Sequence, residues 1–161
     1  MIRRISLLLI LFAAVVSSAE EPKPQIHSIY RLQFVLKQLD AGKLVSTHNF
    51  EVSADSHDSR SVQIRTGNRV PIDAGNNGLQ YIDVGFNCDA HLFFDEANDG
   101  WLETGWEVST MPAASGSERL IRQWRVRSTP RVILGKQIAV GSVDDINSGQ
   151  QFELDVTVTK E

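Results

Sequence analysis

The sequence predicts an all-β protein, with about nine short, mostly antiparallel strands in a sandwich or barrel-like sheet after a cleaved signal peptide. Three observations predict it. From Ile29 to the C-terminus, apolar residues recur with period two, as in strands whose alternate side chains face opposite sides. Clusters of Gly, Asn, Asp, Ser and Pro break that pattern at the ~8–12-residue spacing of sandwiches and barrels. No stretch keeps the i, i+3, i+4 apolar spacing of an amphipathic helix.

The elements follow in order. Arg3 and Arg4 precede an apolar run over residues 5–16, and Ser17 and Ala19 place small residues at positions −3 and −1 of a cleavage site between Ala19 and Glu20. The run falls short of the ~20 residues of a membrane-spanning helix. A lipoprotein would carry a cysteine where Glu20 stands. The expected organisation is a signal peptide over 1–19, an extended leader over 20–28 kept from helix by Pro22 and Pro24, and one β domain over 29–161.

Tyr30, Leu32, Phe34 and Leu36 alternate with Arg31, Gln33 and Lys37, and a turn over residues 40–43 leads into a second strand over 44–54, so the two should form a hairpin. Val62 and Ile64 mark a short third strand ended by Gly67 and Asn68. Residues 70–72 read as a separate brief piece, with Pro71 at an edge because it lacks a donor. After a loop over 73–78, Ile82, Val84, Phe86, Cys88, Ala90 and Leu92 face one way, and Tyr81, Asp83, Gly85, Asn87, Asp89 and His91 the other. On that reading Val84→Asp buries an unpaired charge and unfolds the domain, whereas Asp83→Asn is tolerated. Residues 95–100 turn the chain into a strand over 101–111 with Leu102, Trp106 and Val108 on one face. A loop over 112–117 precedes 120–128, where Leu120, Trp124 and Val126 alternate. Short strands follow at 131–134 and 137–143, and a last one carries Phe152, Leu154, Val156 and Val158.

Composition narrows the function. The chain holds 16 basic and 20 acidic residues; losing Arg3 and Arg4 with the signal moves the net charge from −4 to −6. That balance argues against nucleic acid and anionic lipid as partners. Membrane association is expected only through an assembly. Cys88 has no second cysteine to pair with and sits at an inward position, where it acts as a small apolar residue. His27, His48, His57 and His91 lack metal-ligand spacing, and the acidic turn at 95–100 fails the calcium-loop pattern because Ala97 and Trp106 occupy ligand positions. No nucleophile–base pair can be named, so no catalytic residue, cofactor or metal is assigned. The candidate ligand or partner contacts are Trp101 and Tyr81, aromatic rings on wet faces, and Arg125 and Arg127, which alternation places together and apart from Arg122.

Residues 61–72 (SVQIRTGNRVPI), 80–92 (QYIDVGFNCDAHL), the strand after Asp99-Gly100, residues 125–143 (RVRSTPRVILGKQIAVGSV) and the closing strand over 151–159 keep an order and spacing that resembles the C-terminal core of bacterial type II and type III secretion secretins. The resemblance covers about residues 60–160 and implies a secretin-like fold in the envelope of a Gram-negative cell. The sequence departs from the family at Ala90 or His91, where a proline is usual, and at Ser142, where a second glycine is common. The family's long insertion before the last strand, which helps shape the channel, is here reduced to residues 144–150. The expectation is an exported, non-enzymatic domain, periplasmic or outer-membrane-associated, working by protein–protein assembly through open sheet edges. The rival is a monomeric carbohydrate-binding sandwich using Trp101 or Tyr81.

Overall fold

A computed structural model of the chain describes residues 28–73, 78–95, 99–111, 121–146 and 148–161. The signal peptide with its Ala19–Glu20 junction, all of the leader but Ser28, and the 112–117 loop lie outside the described residues. Nine strands follow one another: β1 (Ile29–Asp40), β2 (Lys43–Asp55), β3 (Val62–Asp73), β4 (Leu79–Phe94), β5 (Gly100–Thr110), β6 (Arg122–Ser128), β7 (Arg131–Val132), β8 (Gln137–Asp144) and β9 (Gln150–Lys160). They make two sheets, one ordered β2-β1-β9-β8 and one ordered β3-β4-β5-β6 with β7 also on β5, and every pairing is antiparallel.

The sheets bury the faces that alternation selects. In β1, flanked on both sides, Tyr30, Leu32, Phe34 and Leu36 point inward, opposite Leu154, Val156 and Val158 of β9. Phe86, Cys88, Ala90 and Leu92 of β4 and Leu102, Trp106 and Val108 of β5 close over them from the second sheet. Each large side chain so buried contributes ~1.5–3 kcal/mol relative to exposure. Gly141 in β8 carries no side chain against Trp106, whose ring an added Cβ would meet at 3.6 Å. On the outer face Asp155 is buried but satisfied: Lys37 Nζ donates to it at 2.5 Å and Gln137 Nε2 at 2.6 Å, tying β1 and β8 to β9. That hydrogen bond from Lys37 raises the pKa of its ammonium.

Three expectations change. The pieces at 62–64 and 70–72 are one strand, β3, which runs through Gly67 because that glycine lies opposite Gly85 in continuous register. Pro71 does sit on an edge strand. The segment at 131–134 pairs only at Arg131 and Val132, since Ile133 and Leu134 turn outward and are 50 % and 46 % exposed. Finally, Ile82 and Val84 leave the core: Ile82 is 40 % exposed and Val84 half-buried, because β5 stops at Thr110 and among the described residues no further strand continues beside them. The core of β4 begins at Phe86.

Candidate functional site

The feature that departs from a closed sandwich is the outer half of the β3–β4 hairpin. β4 pairs with β5 from Phe86↔Val108 onward, yet continues pairing with β3 out to Asp73↔Leu79. Among the described residues, Leu79 to Val84 therefore have a strand on one side only. Among the described residues no strand pairs with their other edge, the template for strand addition.

Two glycines allow this ribbon to leave. Gly67 and Gly85 stand opposite each other at φ 155° and 157°. A Cβ on Gly85 would fall 2.1 Å from the Thr66 carbonyl oxygen, and one on Gly67 2.3 Å from that of Val84. The two backbones are closer than any side chain permits. Where the β4–β5 ladder ends, buried Ser109 replaces it: its Oγ accepts from the Gly85 N–H at 2.9 Å and lies 3.3 Å from the Asp83 carbonyl, to which it can donate.

Beyond the glycines the ribbon carries apolar residues on both faces, with the exposed Arg69–Asp83 ion pair on the outer one. Val70↔Ile82 and Asn68↔Val84 extend the core-facing side, with Ile72 beyond them. Pro71 and the 59 % exposed Tyr81 share the opposite side, as does Leu79, which is 64 % exposed. Under the root of the ribbon the sandwich end opens into a cavity of about 280 Å³, with Leu36, Phe50, Phe86 and Phe152 behind and His48 and Thr66 at its margin. The rings of Phe50 and Phe86 stack at 4.9 Å and form its apolar floor.

The four contact candidates do not meet at one place. Tyr81 lies on the ribbon, and Trp101 pairs with Phe93, twelve positions further along β4, a distance of ~40 Å in an extended strand. Trp101 is half-buried and its Nε1 donates to Asp95 at 3.2 Å, so the ring is held against its own turn. Arg125 and Arg127 do share the outer face of β6, and Arg122 turns the other way to pair with buried Asp145 at 2.6 Å. Arg125 grips Glu107 at 2.6 Å. Burial pushes the Glu107 carboxyl up, but hydrogen bonds from Arg125 and Gln123 outweigh it and leave the pKa lowered. Burial raises the Cys88 thiol to about 12, with the Asp89 charge adding to it, so the thiolate is suppressed. Gly67, Val70, Ile82 and Ser109 are the site residues that sequence reasoning passed over. The shared parity of Val62 and Ile64 before Gly67 and of Val70 and Ile72 after it was the available signal.

No family model matches the chain, and no curated protein matches it. Among solved structures the fold is similar to a type II secretin GspD from enteropathogenic Escherichia coli, with TM-score 0.51 and 10 % identity over 83 % of this chain and 65 % of that one. It is similar to a chain of the Klebsiella pneumoniae type II secretion system outer membrane complex of PulD, PulS and PulC, with TM-score 0.51 and 13 % identity over 83 % and 39 %. A third is the type II secretion system secretin GspD of E. coli K12, with TM-score 0.50 and 10 % identity over 84 % and 49 %. The chain spans about half the length of the K12 secretin. At these identities the likeness is one of fold, and the fold is secretin-like.

Proposed function

We propose that the processed chain is a non-enzymatic building block of an envelope assembly, joining copies of itself or a secretion-type partner by strand pairing along the ribbon beyond Gly67 and Gly85. One observation carries this reading: the β4 edge at Leu79 to Val84 has no strand partner among the described residues, next to Ile82, which is 40 % exposed, and the half-buried Val70 and Val84. A neighbouring strand laid there satisfies the backbone and buries Val70, Ile82 and Val84 in one step. The secretin-like fold supports the same reading, since the solved relatives are components of secretion systems. Export and an outer-membrane or periplasmic location belong to this proposal and rest on the N-terminal pattern over 1–19.

The test is the native mass of the processed protein extracted gently from fractionated envelope. A multimer in the envelope fraction is expected. A particle of one chain mass at every concentration overturns the reading and leaves the carbohydrate-binding alternative, with Trp101 or Tyr81 as its contact.

A further inference from the structure

The outer face of the β3-β4-β5-β6 sheet is a field of charges that are almost all matched. Arg65 pairs with Asp89 at 2.6 Å, Arg69 with Asp83 at 3.2 Å, and Arg125 with Glu107 at 2.6 Å. Elsewhere Arg31, Arg60, Arg122 and Arg131 also have carboxylate partners. Among the described residues Arg127 is the arginine without one, in a chain with more acids than bases. A guanidinium presents five fixed donors suited to a planar carboxylate.

Arg127 stands beside a notch. Its register partner across β5 is Gly105, and the next residue across on β4 is Asp89, already occupied by Arg65. Gly105 is not required by the backbone, because its φ is not in the left-handed range. It is not required by packing either: the nearest atom an added Cβ would meet is Arg127 Cγ at 3.8 Å, ordinary contact. Strands lose stability at glycine. What the missing side chain does is leave open a polar groove of about 390 Å³, bounded by Ser59, Ser61, His91, Glu103, Arg127 and Thr129. That volume falls at the lower end of small-ligand sites.

We propose that this groove binds a carboxylate-bearing ligand of one or two residues' size. Its carboxylate pairs with Arg127 over Gly105, and its hydroxyl or amide donors reach Glu103 and His91, which face each other in register. A sugar acid and the C-terminal carboxylate of a peptide share this chemistry. The site is on the outer sheet face, distinct from the ribbon edge, so it stands or falls apart from the assembly reading.

The experiment is calorimetric titration of the full processed chain with galacturonate and with N-acetyl-alanyl-alanine, each against its neutral derivative, the methyl ester and the C-terminal amide. Saturable binding of at least one acid is expected, with loss of tenfold or more in the neutral form. Which acid binds identifies the source. Arg127→Gln should weaken binding tenfold or more with an unchanged melting temperature, whereas Arg69→Gln, with the same charge change, should bind normally. Gly105→Val should raise the melting temperature and abolish binding. Binding of neither acid, equal binding by Arg127→Gln, or a lower melting temperature for Gly105→Val each overturns the proposal.

Discussion

At the scale of single residues, two positions carry sharp expectations. Ala41 closes the β1–β2 hairpin beside Gly42, with φ of 48° and 77°, the two left-handed residues of a type I′ turn. An L-residue with a Cβ pays ~1–2 kcal/mol to sit there, and asparagine tolerates it better. Ala41→Asn should therefore raise stability by about 0.5 kcal/mol or more, read as a higher urea midpoint with unchanged slope; a lower midpoint means the turn is held by its contact with the Gly149 carbonyl instead. Cys88 is the second. It is 1 % exposed, and its thiol is raised to about 12, so native protein at pH 8 should resist thiol alkylation and react fully only in denaturant. Rapid labelling of the folded chain contradicts that burial. Both the inward Cys88 and the buried Trp106 were legible from alternation alone, because in a strand the side is set by parity. The tie between Trp101 and Asp95 was not, since it depends on a turn conformation that spacing does not encode.

At the scale of the element, β3 and β4 separate two properties that sequence alternation merges. Parity says which side a residue faces; it does not say how far the opposing layer extends. Ile82 and Val84 share the parity of Phe86 and Cys88, so the pattern reads them as core, but β5 ends at Thr110 and the cover ends with it. Gly67 likewise reads as a breaker, because the partner that makes it a crossing point, Gly85, lies eighteen residues away. The consequence is a graded substitution series. Phe86→Asp places an unpaired charge in a 4 % exposed site and should unfold the chain. Val84→Asp, two residues along, should leave the sandwich folded with a loss of under about 1 kcal/mol in the unassembled chain, against several for Phe86→Asp. Gly85→Ala should cost more than Val84→Asp despite its single methyl, because that methyl would stand 2.1 Å from a backbone oxygen and must force the strands apart. Circular-dichroism melts rank the three; equal losses at 84 and 86 mean that the ribbon is covered after all.

At the scale of the whole molecule, the sandwich and the ribbon do different work. The two sheets bury one shared core, with most charges on their faces matched locally. The ribbon is built against that economy: two strands with exposed apolar residues such as Leu79, Tyr81 and Ile82 are marginal in water unless something joins them. Its presence argues for an occupant, and strand pairing between copies supplies one with the same chemistry on each partner. Each of Val70, Ile82 and Val84 buried in such a joint contributes up to ~1.5–3 kcal/mol, enough that losing one weakens association measurably. Ile82→Asp should therefore leave the melting curve of the isolated sandwich nearly unchanged while lowering the native mass of the envelope-extracted protein to that of one chain. Asn49→Asp, a similar charge change on the outer face of β2, should leave both unchanged. Because the joint is apolar and backbone-mediated rather than ionic, the assembly should also survive high salt, which would disperse one held by the surface ion pairs. Full-size particles from the Ile82→Asp protein would move the joint off the β4 edge and toward one of the sheet-edge strands β2, β3, β6 or β8.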